Sequence, residues 1–233
     1  MSEHAFNARD QHAVYQAMAQ RRDMRHFNGK PLAPEVLGRL LQAAHMAPSV
    51  GLMQPWRFIR VTDDEDKHKL HALVERERQQ TAEALGERQQ AFLSLKVEGI
   101  LHCSELLVVA LPEGREKHVF GRRTMPHMDF ASACCAIQNM WLAARVEGIG
   151  MGWVSLFDPD ALKTLFGMPS GSDPVAILCL GHVDAFYDEP MLITEQWASA
   201  ADWQAFVYEG RWPSTINDQR STINDIRVDD FNA

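Results

Sequence analysis

The stretch RRDMRHF, residues 21–27, sets Arg21, Arg22 and Arg25 around a single carboxylate, Asp23. Guanidinium groups offer planar forks of N–H donors that grip phosphate or carboxylate oxygens in pairs. The formal net charge is −8 and the pI about 5.7, so this patch stands against the sign of the whole chain. Three arginines at a helix end fit either an anion site or a solvated, salt-bridged terminus. Asp23 likewise has two readings. It spaces and neutralises the arginines, or it is an acid/base group whose pKa burial raises.

A second cluster, HMAPSVGLMQPWRFIRV at residues 45–61, places a small, flexible PSVG turn between a helix and a strand. Such a turn lets backbone amides approach a flat or anionic ligand, with the Ser49 hydroxyl available to it. Gln54 can donate or accept, and Trp56 offers an aromatic wall. An ordinary connection carrying a packed Trp reads the same way. Ten histidines raise the question of a metal, but neither His68 with His71 nor His118 with His127 has ligand spacing, so no metal is expected.

The elements that position these clusters follow from periodicity. DQHAVYQAMAQR reads as a first helix with Asp10 as N-cap and Ala13, Val14, Ala17 and Met18 on one face, so the arginines fall at its end. APEVLGRLLQAAHMAPS reads as a second helix, with Pro34 in its first turn and Pro48 as its stop. WRFIRV, ELLVVAL, GMGWVSLF and PVAILCLGHV read as strands. TDDEDKHKLHALVERERQQ and DPDALKTLFG read as helices, and residues 128–147 as a helix apolar nearly all round and buried on more than one side. Residues 81–100 keep a helical pattern with little apolar face and read as a lid. Helices packed on a central sheet are the expected fold.

RRDMRHF and APSVGLMQPWRF, at this separation, resemble the flavin-dependent nitroreductase superfamily, where an RRSxRxF-like segment holds the FMN phosphate and a PSxxNxQPW-like turn borders the flavin ring. The resemblance spans roughly residues 12–190. It implies an α+β fold, a three-layer α/β/α sandwich on a mixed, mainly antiparallel sheet. It also implies one domain over residues 1–233, extended beyond residue 191.

Two departures narrow it. Asp23 stands where the family usually has serine, and GWVSLF carries Ser155 where many members have glycines. With LKVEGI, GRRTMPHMDFASA and LCLGHVD, these resemble the 5,6-dimethylbenzimidazole synthase branch. That branch fragments reduced FMN with O2 into the lower ligand of vitamin B12, with erythrose 4-phosphate as implied co-product. By resemblance, Asp23 and Ser155 are the catalytic candidates. The same resemblance gives Arg21, Arg22, Asp23, Met24, Arg25, Ser49, Leu95 and Ser155 to reduced FMN. Lys96 could approach a ring carbonyl or be a surface lysine; Arg211 could reach phosphate or be a solvated tail arginine. A homodimer is implied, with residues 128–147 near its interface, together with a separate flavin reductase supplying reduced FMN. The rivals are a conventional NAD(P)H-dependent FMN nitroreductase and a non-catalytic flavin-sequestering protein.

Composition excludes little else. Hydrophobic residues make up 46% and charged residues 23%, ordinary for a globular protein. The acidic balance gives no broad basic surface for nucleic acid. Cys103, Cys134, Cys135 and Cys179 form no C-x-x-C pair and read as small buried residues in a reducing compartment. The polar N-terminus and the absence of a membrane-length apolar run make a cytoplasmic protein the expectation.

Overall fold

Four strands build the sheet, two of them long aliphatic runs, in a computed structural model that describes residues 4–212. β1 (Arg57–Arg60), β2 (Glu105–Leu111), β3 (Gly150–Val154) and β4 (Asp173–Gly181) lie in the order β1-β2-β4-β3, every pair antiparallel. One parallel bridge, Asp23 to Met151, adds the mixed character at the β3 edge. β2 and β4 are central, and all seven residues of β2 are buried, as an apolar run covered on both faces requires.

Period-two alternation splits the core into two layers. Leu107, Val109 and Leu111 of β2 and Leu178 and Leu180 of β4 face α2 (Pro34–His45) and α5 (Met128–Val146). Leu106, Val108, Ile177 and Cys179 face α3 (Asp64–Ala84) and α6 (Pro159–Leu165). The result is the expected three-layer arrangement. α3 is capped by the Asp63 carboxylate, which accepts the Asp66 N–H, and α6 by Asp158, which accepts from Asp160 and Ala161.

Several boundaries differ from the sequence reading. α2 stops at His45, before the PSVG turn, and β3 stops at Val154, so Ser155 lies just past the strand and is exposed. In the 81–100 region α3 continues to Ala84 and α4 covers Gln89–Ser94; residues 95–98 then run without regular structure. α5 is buried on one side only: Ala133, Ala136, Ile137, Met140 and Ala144 pack inward, while Phe130, Cys135 and Val146 are exposed. Cys135 is thus not the buried residue expected.

Contacts gather Ala17–Asp188 into one compact unit, and the chain ends, up to Gln16 and from Glu189 onward, into another. In the latter, α1 (Ala8–Gln20) begins and is capped by Asn7, whose side chain accepts the Asp10 N–H at 3.0 Å. Asp10, expected as the cap, sits instead in the first turn. No residue of α1 is buried. The same unit holds α7 (Met191–Thr194) and the exposed Arg211. The STIND copies at 214–218 and 221–225 lie outside the described residues.

Candidate active site

The arginine segment is pinned to the open edge of β3. Met24 N–H donates to Met151 O at 3.0 Å, and the Met24 side chain is fully buried. Glycine makes this approach feasible: a Cβ at Gly152 would stand 2.3 Å from Met24 O and 2.9 Å from Arg25 Nη1. Gly99 does the same from the other side, where a Cβ would stand 2.9 Å from Arg25 O and 2.5 Å from the Phe27 ring. The LKVEGI and RRDMRHF segments are therefore in contact.

Each charged group in the segment has a distinct task. Arg22 gives one Nη to Ala19 O at 2.7 Å and Arg21 O at 2.9 Å, and the other to Asp188 O at 2.6 Å. The Ala19 bond closes the last turn of α1, and the Asp188 bond ties the segment to the chain after β4. The Arg21 guanidinium lies over the Trp141 ring, 4.6 Å from its centroid, and the Trp141 indole donates to Arg22 O at 3.1 Å. Arg25, only 8% exposed, donates from Nη2 to Asp23 and, at 2.7 Å, to Trp153 O. Arg22 Nε and Arg25 Nη1 are buried and have no partner among the described residues, donors that a ligand oxygen would satisfy.

Asp23 accepts the Trp153 N–H at 2.9 Å and the Arg25 guanidinium, with 43% of its side chain exposed. Burial of its surroundings pushes its carboxyl above the usual range. The charges of Arg25 and Arg21 and the bonds from Trp153 and Arg25 pull the other way without cancelling it. A carboxyl that can be reached and is biased toward its protonated form suits proton transfer. Ser155 follows Trp153 by two residues, so the β3 end brings the two catalytic candidates into one neighbourhood.

The remaining predicted residues lie on separate supports. Ser49 is half-buried; its hydroxyl accepts the Gln54 N–H at 3.0 Å, leaving its own proton to donate elsewhere. The next amide, Val50, is satisfied by Ser132 of α5. Trp56 is 5% exposed and its indole donates to His45, so of its two readings the packed Trp holds. Leu95 is buried at the end of α4 and its carbonyl accepts from Arg78 at 3.3 Å. Lys96 pairs with Glu98 at 2.9 Å. Sequence reading passed over Trp141, Trp153 and Tyr187. The Gly150 and Gly152 alternation was the legible sign that something lies against β3.

A family model described as the nitroreductase family matches residues 18–182. The chain belongs to the nitroreductase family. Within it, the chain is 38% identical to a 5,6-dimethylbenzimidazole synthase of Rhodospirillum rubrum over 77% of its length and 86% of the relative's. It is 36% identical to one from Rhodobacter capsulatus over 79% and 90%. Its fold is similar to NADPH:FMN oxidoreductase from Vibrio harveyi, with a TM-score of 0.65 at 20% identity over 89% of this chain and 81% of that one. Family membership and synthase relatives make this nitroreductase-family chain an oxidoreductase-type enzyme. Among the described residues no helix is long and apolar enough to cross a membrane.

Proposed function

We propose that this protein is a 5,6-dimethylbenzimidazole synthase: with O2 it fragments reduced FMN to 5,6-dimethylbenzimidazole, releasing erythrose 4-phosphate. The observation that carries the reading is Asp23, a carboxyl raised in pKa among arginines, in a chain whose synthase relatives match over most of both lengths. The reduced flavin supplies the electrons for O2 and the ring carbons of the product. The chain supplies position and protons. Arg21, Arg22 and Arg25 hold the phosphate, with the partnerless Arg22 Nε and Arg25 Nη1 as donors to it. Met24, Ser49 and Leu95 line the flavin, Asp23 gives and takes protons at the ribityl–ring junction, and Ser155 donates a hydrogen bond nearby.

In this reading residues 81–100 act as a lid and a separate flavin reductase supplies reduced FMN. The chain works as a cytoplasmic homodimer of single domains. Exposed Phe130 and Val146 on α5, with Leu52 and Phe120 near its N-terminus, support association. The test is to mix the protein with chemically reduced FMN and air, following flavin absorbance and products. Loss of flavin with dimethylbenzimidazole formation is the expected result. Return of intact FMN with NADPH-driven turnover of nitroaromatics would make it a conventional nitroreductase, and tight binding without turnover a flavin store.

A further inference from the structure

Residues 182–188, which follow β4, grip the arginine segment repeatedly. His182 O accepts the Asn28 N–H at 3.0 Å, the Asp184 carboxylate accepts from the Asn28 side chain at 3.0 Å, and Asp188 O accepts from Arg22 at 2.6 Å. Phe186 lies under Arg145, 4.3 Å from ring centroid to guanidinium, and Arg145 in turn donates to the Gln20 side chain at 2.6 Å. Tyr187 makes the contact nearest the carboxyl. Its hydroxyl accepts the Arg25 backbone N–H at 3.2 Å and lies 2.6 Å from His26 Nδ1, the two rings meeting edge to face.

We propose that Tyr187 is a positioning residue that acts through Arg25 to hold the Asp23–Arg25 pair in register with the end of β3. Arg25 is fixed on three sides: Trp153 O on its guanidinium, Gly99 against its carbonyl, and Tyr187 on its amide. Only the last is a side chain, so it is the contact a single substitution removes. A hydroxyl with two partners is directional, and its loss frees the Arg25 backbone to shift by a few tenths of an ångström. The guanidinium then withdraws from Asp23. The groups facing Asp23 are Arg25 and Arg21 from its own segment and the Trp153 N–H from β3. Arg25 is the largest of the influences that hold its pKa down, so weakening it moves the titration upward.

The bearing on catalysis rests on the synthase reading; the titration does not. In Tyr187→Phe without any flavin, carboxyl-carbon NMR should show the Asp23 midpoint raised by ~0.5 pH unit or more, with the thermal midpoint little changed. With reduced FMN, dimethylbenzimidazole formation should fall about tenfold, while FMN affinity stays within about threefold. In the unsubstituted protein the Arg25 amide should exchange with solvent deuterium more slowly than an open amide, a measurement independent of how the variant folds. An Asp23 midpoint unmoved in folded Tyr187→Phe, or an Arg25 amide that exchanges freely, overturns the proposal. A wild-type protein that binds no FMN would instead sink the synthase reading and leave this one standing.

Discussion

Two aspartates in this chain sit among arginines and are shifted in opposite directions. Asp129, in the first turn of α5, has 5% of its side chain exposed and accepts Arg115 Nε and Arg122 Nε, each at 2.9 Å, plus the Phe130 N–H at 2.7 Å. Burial alone would raise its carboxyl, but the Arg122 bond, the Phe130 amide and Arg115 outweigh it and hold the pKa low. Asp23 has one guanidinium in direct contact, and that one is shared with Trp153 O. For Asp23 burial wins. A carboxylate held by two guanidiniums and an amide is a rivet, whereas Asp23, with a single guanidinium in contact, is shifted the other way.

The largest expected effect separates these roles. Asp129→Ala takes from the mostly buried Arg122 its carboxylate partner and from Arg115 one of several, and should cost ~3–5 kcal/mol in denaturant unfolding. Asp23→Asn keeps an acceptor for the Trp153 N–H and should cost ~1 kcal/mol, while lowering dimethylbenzimidazole formation at least ~100-fold. If the two variants lose stability equally, the comparison fails.

Gly152→Ala comes next. Its methyl would press on Met24 O and Arg25 Nη1, so the segment must move; a loss of ~1–3 kcal/mol and weaker FMN binding are expected, read by unfolding and by quenching of flavin fluorescence. Retained affinity would show that the segment does not need this seat.

Glu98 sharpens the comparison at a third site. It is 6% exposed; burial would raise it, but Lys96, the Ile100 N–H and His71 hold it below its ordinary value of about 4.5. A depressed carboxyl contributes stability above its unfolded pKa and loses it as pH falls through the folded one. Glu98→Gln should therefore flatten the stability–pH curve below about pH 4.5, being less stable than the unsubstituted protein at neutral pH and converging with it in acid. Asp23 has the opposite sign: its raised pKa makes the fold less stable as pH rises through the carboxylate range, so Asp23→Asn should lift that decline. Thermal midpoints across pH 3–7 check both.

The smallest effect is at Ser155, an exposed residue just past the end of β3. Ser155→Ala should leave the thermal midpoint unchanged and lower only the synthase rate, by about tenfold.

How much of this was legible depended on whether the signal was local. Strand runs such as ELLVVAL and the position of the arginines after α1 followed from periodicity alone, because apolar spacing and burial are the same fact. The split roles of the arginines were not legible. Arg22 on Asp188, Arg21 on Trp141 and Arg25 on Trp153 depend on partners more than a hundred residues away, which spacing does not record. Asn7 caps α1 where Asp10 is the expected cap: both residue types suit the position and only geometry separates them. The exposed side of α5 shows the limit of composition: a helix apolar nearly all round is expected to be buried on more than one side, but one chain covers only one side of it.

The most direct test is carboxyl-carbon NMR titration of Asp23 and Asp129 in the unsubstituted protein without flavin. The account predicts an Asp23 midpoint above 3.8 and an Asp129 midpoint below it. An Asp23 midpoint at or beneath that of Asp129 would make it a second rivet and remove the proton on which the proposed chemistry depends.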